Sequence, residues 1–153
     1  MTPRMTNPAL LLPDALEAAL ALAFAAKGDL PQRTVELVHL RASQINGCGV
    51  CVDMHTKGAK RQGETDERLH AVAAWRDTLS FSDAERAALA LAESVTRLSD
   101  RPDPVPDEVW DEAVRYYDDV ALASLLATIG VINLFNRFNV PTRQVAGSVP
   151  VSR

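Results

Sequence analysis

The chain has 153 residues, of which 47% are apolar and 24% charged. That length and mix fit one globular domain that buries a core unaided, and they exclude a disordered or disulfide-framed chain. Sixteen basic against twenty acidic residues leave a net charge of −4, so no basic face is expected for nucleic acid or an anionic membrane.

Ala and Leu dominate and aromatics reach only 5%, a composition that favours helix, and no Val/Ile/Thr-rich run alternates like a strand. Pro13 opens a first helix to about Lys27, with Gly28 as its stop. Residues 18–26 could pass for the apolar part of an export signal. Asp14 and Glu17 precede them and only Arg4 supplies positive charge, so they are read as a helix of the fold. Pro31 opens a second helix, in which Val35, Val38, Ala42 and Ile45 recur at helical spacing, and Asn46-Gly47 ends it. A third begins at Cys48 and runs to about Gln62, and a short helix follows from Asp66 to about Trp75. Ser82 and Glu85 make a capping box for a helix over about 83–98. Residues 99–106 hold three prolines and form a loop. Two more helices, about 107–116 and 119–138, complete the fold, and a tail of about 139–153 is expected to be loosely ordered.

These elements predict a single compact all-α domain. The longest uncharged run, 120–136, is shorter than the roughly 20 residues a membrane span needs, so a cytoplasmic protein is expected. Helices 15–26 and 120–135 are apolar nearly all round, which predicts burial on every side. A chain this small has few helices to cover them, so contacts in a homo-oligomer are expected to cover part.

The informative stretch runs from Glu36 to His55. Cys48 and Cys51 sit three residues apart at a helix start, where they can close a disulfide and where free N–H groups favour a thiolate. The helix terminus alone favours Cys48. His55, four residues after Cys51 on the same face, can take the thiol proton directly or through one water. Glu36, on the preceding helix, can orient that imidazole. A zinc site using Cys48, Cys51 and His55, with His39 or Glu36 as fourth ligand, is an alternative, but no second Cys/His pair accompanies it. Another is two small buried residues without redox chemistry. His39 and His70 are read as ordinary helix-face or surface histidines. Asn133, Asn136 and Arg137 are read as core hydrogen-bond partners or caps.

Glu36, eleven intervening positions, Cys48-x-x-Cys51, three positions and His55 resemble the core motif of the carboxymuconolactone decarboxylase and alkylhydroperoxidase D superfamily. The flanks ELVHLRASQINGC and CVDMHTKGAKRQGET, the stretch 66–100 and NLFNR at 133–137 extend the likeness over about 30–138. The resemblance implies an all-helical fold assembled as trimers or hexamers. It also implies peroxidase activity on hydrogen peroxide or organic hydroperoxides without haem, flavin or metal, recycled by a thiol or lipoyl-type reductant. By the same resemblance Cys51 attacks the peroxide, Cys48 closes the disulfide, and Glu36 and His55 relay protons to Cys51. Some members carry a histidine between the cysteines, where this chain has Gly49 and Val50. Members that decarboxylate a lactone generally lack the cysteine pair. A lyase using Glu36 and His55, or a non-catalytic helical oligomer, are the competing expectations.

Overall fold

The computed structural model describes residues 2–147, and among these every regular element is helical. A short helix α1 (Pro8–Leu11), not foreseen from the sequence, is capped by the Asn7 side chain and leads through Leu12 into α2 (Pro13–Lys27). Both begin on a proline, whose missing N–H costs nothing at a first helical position. α3 (Gln32–Ile45) and α4 (Gly49–Arg61) pack together across a three-residue turn, Asn46 to Cys48. Gly47 lies there at φ 68, a left-handed conformation that a residue without Cβ adopts freely.

The helix expected over 66–75 divides in two. α5 (Asp66–Ala71) gives way to a 3-10 helix over Val72–Asp77, in which Ala74 leaves helical geometry at φ −122 and ψ 35. The break accompanies burial of Trp75, whose indole N–H donates to Glu93 at 2.9 Å while Arg76 covers its ring. α6 (Asp83–Thr96) carries the expected capping box, and α7 (Asp107–Tyr116) and α8 (Asp119–Asn139) follow the proline loop.

α3 occupies the centre and packs on α4, α6 and α8. One side of it joins Val35 and Val38 to Leu91, Leu125 and Ile129. Another joins Leu37 and Leu40 to Val72, Trp75, Phe81 and Leu89. Full burial of such aliphatic side chains contributes about 1.5–3 kcal/mol each. Glu93, buried on α6, accepts from Trp75, Arg41 and Arg76, so its charge is compensated and ties α3 and the 3-10 helix to α6. A third, small cluster of Ala42, Val50 and Ile132 encloses the two cysteines.

Burial of α2 on every side does not occur within the chain. Only Ala19 and Ala26 are buried, while Leu20, Leu22 and Phe24 face outward, Phe24 with 86% of its surface exposed. α2 packs on α1 and α8, and its opposite face is left uncovered because the remaining helices gather around α3. α8 likewise buries Leu122, Leu125, Ile129 and Ile132 on one face and exposes Val120, Leu126 and Leu134 on the other. Its 21 residues exceed the uncharged run because the helix continues through Asp119 and Arg137, so it is long and apolar enough to cross a membrane by length and composition. Here it is packed against α2, α3 and α6.

In the segment expected to be a loose tail, Thr142 is buried, and its carbonyl accepts from the Arg4 N–H at 2.9 Å. The Gln144 side chain donates to the Met5 carbonyl at 3.0 Å. Residues 148–153 of that segment lie outside the described residues.

Candidate active site

Cys48 is the N-cap of α4, and its Sγ accepts from the Cys51 N–H at 3.4 Å. Both cysteines are free thiols and buried. The hydrogen bond from the Cys48 side chain lowers the Cys51 pKa to about 6; burial opposes this, while the amides of Asn139 and Asn136 and the charge of His55 add to it. The same bond and burial push Cys48 strongly upward. Both shifts favour Cys51 over Cys48 as the seat of a negative charge. A helix terminus acting alone would favour Cys48, but Cys48 spends its sulfur as the cap.

Asn139, at the end of α8, donates from Nδ2 to Cys51 Sγ at 3.3 Å. Its Oδ1 accepts from Asn7 Nδ2 at 2.9 Å, so the residue that caps α1 also holds this amide in place. Asn136 donates to Ser43 Oγ, and both Asn136 and Asn133 accept from Asn46 Nδ2, at 2.8 and 3.0 Å. These contacts bind the turn that presents Cys48 to α8, and Arg137 in turn donates to Asn133. Asn139 joins the expected site residues, and Asn133, Asn136 and Asn139 recur every three residues on one helix.

The α3–α4 hairpin brings Glu36 and His55 together: Glu36 Oε2 lies 2.8 Å from His55 Nδ1. Glu36 Oε1 accepts from Gln32 Nε2 at 3.1 Å. With Nδ1 held by the carboxylate, His55 keeps Nε2 for other work, and that atom is buried without a partner.

His39 is no ordinary helix-face histidine. One turn along α3 from Glu36, its ring lies 4.5 Å from the His55 ring, and its own Nε2 is also buried and unpartnered. Burial and the neighbouring His55 charge hold its pKa well below the usual histidine value, against a hydrogen bond to the Thr128 backbone. His70 is exposed, as read.

Gly58, three residues after His55 on α4, makes the room for the carboxylate. A Cβ there would lie 2.8 Å from Glu36 Oε1 and 2.9 Å from Oε2. Alanine improves a helix interior by about 1 kcal/mol over glycine. Gly58→Ala is therefore expected to keep its helicity and yet lose the downfield imidazole proton resonance of the Glu36–His55 hydrogen bond. Survival of that resonance would show that Glu36 moves aside with the pair intact.

A cleft of about 760 Å³ is lined by Arg33, Arg68, Glu85, Tyr116 and Tyr117 among others, and none of Glu36, Cys48, Cys51 or His55 faces it.

Residues 13–94 match the carboxymuconolactone decarboxylase family. The uncharacterized protein YdfG of Bacillus subtilis (strain 168) is 35% identical over 122 residues, which cover 80% of this chain and 82% of YdfG. A solved structure from Agrobacterium tumefaciens, of a protein of unknown function proposed for AhpD-type antioxidant defence, superposes with a TM-score of 0.88 at 30% identity, covering 97% of this chain and all of that one. The debrominase Bmp8 superposes at 0.77 with 25% identity, covering 89% of this chain and 73% of that one. The all-helical fold and the matched sequence together place this chain in the carboxymuconolactone decarboxylase family, within the superfamily that includes alkylhydroperoxidase D.

Proposed function

We propose that the protein is a thiol-dependent peroxidase that cycles through a Cys48–Cys51 disulfide. The observation that carries this reading is the Cys51 sulfur, which the Cys48 thiol and the Asn139 amide hold as a thiolate beside the Glu36–His55 pair. A thiolate so placed attacks the terminal oxygen of a peroxide. The O–O bond breaks, the leaving hydroxide or alkoxide takes a proton from His55, and Cys51 becomes a sulfenic acid. Cys48 then attacks that sulfur and expels water, which closes the disulfide. An external dithiol, of the thiol or lipoyl class, returns two electrons and two protons.

Stoichiometric hydrogen peroxide is expected to remove two free thiols per chain, with no covalent dimer on a non-reducing gel. Thiols inert to peroxide would sink this reading. The likeness to a debrominase makes bromide release from brominated aromatics a second assay on the same thiols. We also propose that the face of α2 bearing Leu20 and Phe24 meets a second copy in a trimer or hexamer. Light scattering of the same samples tests this, and a monomer at micromolar concentration would refute it.

A further inference from the structure

We propose that Glu36, His39 and His55 form a binding site for a divalent transition ion such as Zn²⁺, and that the ion competes with proton transfer at His55. One donor atom from each residue lies within 4.8 Å of those of the other two. The Nε2 atoms of both histidines are buried and lack any hydrogen-bond partner, although buried polar atoms are nearly always satisfied. His55 is about nine-tenths buried, the Glu36 side chain is 13% exposed, and His39 is partly buried.

Two imidazoles and one carboxylate are a known donor set for zinc with an open fourth position. An ion about 2.0–2.1 Å from each donor would hold them about 3.3 Å apart, so the side chains must close by somewhat over 1 Å. Rotation of the His39 and Glu36 side chains can supply that movement, with Glu36 giving up its hydrogen bond to His55 Nδ1 to reach the ion. Gln32, which already donates to Glu36 Oε1, would hold the carboxylate from outside the coordination sphere. The cysteines take no part in this group of donors, in contrast to the thiol-based zinc site considered from the sequence. The competition rests on the peroxidase reading, since an ion on the His55 lone pair removes it from proton transfer. The binding itself does not.

The test is Zn²⁺ titration of the reduced protein against a chromophoric chelator, with Co²⁺ absorption as a second readout. One ion per chain is expected for the wild type and for the Cys48→Ser/Cys51→Ser double variant, with no cobalt–thiolate charge-transfer band. His39→Ala should weaken binding at least tenfold, and His39→Gln serves if the alanine variant does not fold. Binding lost in the double cysteine variant but kept without His39 would overturn the site, as would a wild type that binds nothing at micromolar Zn²⁺. Zn²⁺ should also slow peroxide reduction by the wild type, reversibly with a chelator; undiminished turnover of the loaded protein would overturn the competition. A chain that consumes no peroxide but still binds Zn²⁺ through His39 would refute the peroxidase reading and leave the metal site standing.

Discussion

Cys51→Ser is expected to reduce peroxide consumption to the uncatalysed background, whereas Cys48→Ser should retain one turnover. Serine preserves the volume at a fully buried position and can still accept from Asn139. Its hydroxyl does not ionise at neutral pH, so the nucleophile is gone. In Cys48→Ser the sulfenic acid forms at Cys51 and has no partner to condense with, so a dimedone-type probe should trap one equivalent per chain. Serine at position 48 keeps an O–H that can donate to Cys51, so Cys48→Ala is the variant that removes the largest cause of the lowered Cys51 pKa. First turnover of Cys48→Ala should therefore be slower than wild type below about pH 8 and approach it above. In the wild type, alkylation of Cys51 should fall off as pH drops through about 6, because the anion exists only above the folded-state pKa. If the probe labels Cys48 in Cys51→Ser at the wild-type rate, the two roles are reversed.

The division of labour between the thiols shows what the sequence could carry. Spacing alone placed both cysteines at a helix start and put His55 on the face of Cys51. The Asn46-Gly47 break, legible as a stop signal, implied the hairpin that sets Glu36 against His55. What spacing could not carry is contact between segments far apart in the chain. Asn139 lies 88 residues from Cys51, and Asn7 lies 132 from Asn139; neither link has a local signature. His39 failed for another reason. A histidine on an amphipathic helix looks the same whether its neighbour across the hairpin is a leucine or a second imidazole, and only packing distinguishes them. Helix α2 misled differently, since an all-round apolar pattern predicts burial but does not say by what. In the chain by itself, Phe24 stays uncovered.

The proton relay can be separated from the thiolate by comparing two reactions. Alkylation needs only the Cys51 anion, while peroxide reduction also needs a proton for the leaving oxygen. His55 is the smallest of the named influences lowering the Cys51 pKa, behind the bonds from Cys48, Asn139 and Asn136. His55→Ala should therefore move the alkylation inflection only modestly upward from about 6, and alkylation should recover fully above it. Peroxide reduction should fall by roughly 10²–10⁴-fold at neutral pH, the usual worth of positioned acid–base help. Raising the pH should restore only the part that belongs to the thiolate. Glu36→Gln keeps the shape and removes the charge that holds His55 Nδ1 at 2.8 Å, so its loss should run the same way and be smaller. A purely structural role predicts a different pattern: both reactions would fail together, helicity or assembly would fall with them, and no pH would restore either. Measuring both pH–rate profiles of His55→Ala beside its circular dichroism distinguishes these outcomes. A folded variant with wild-type peroxide reduction would leave His55 without a part in proton transfer.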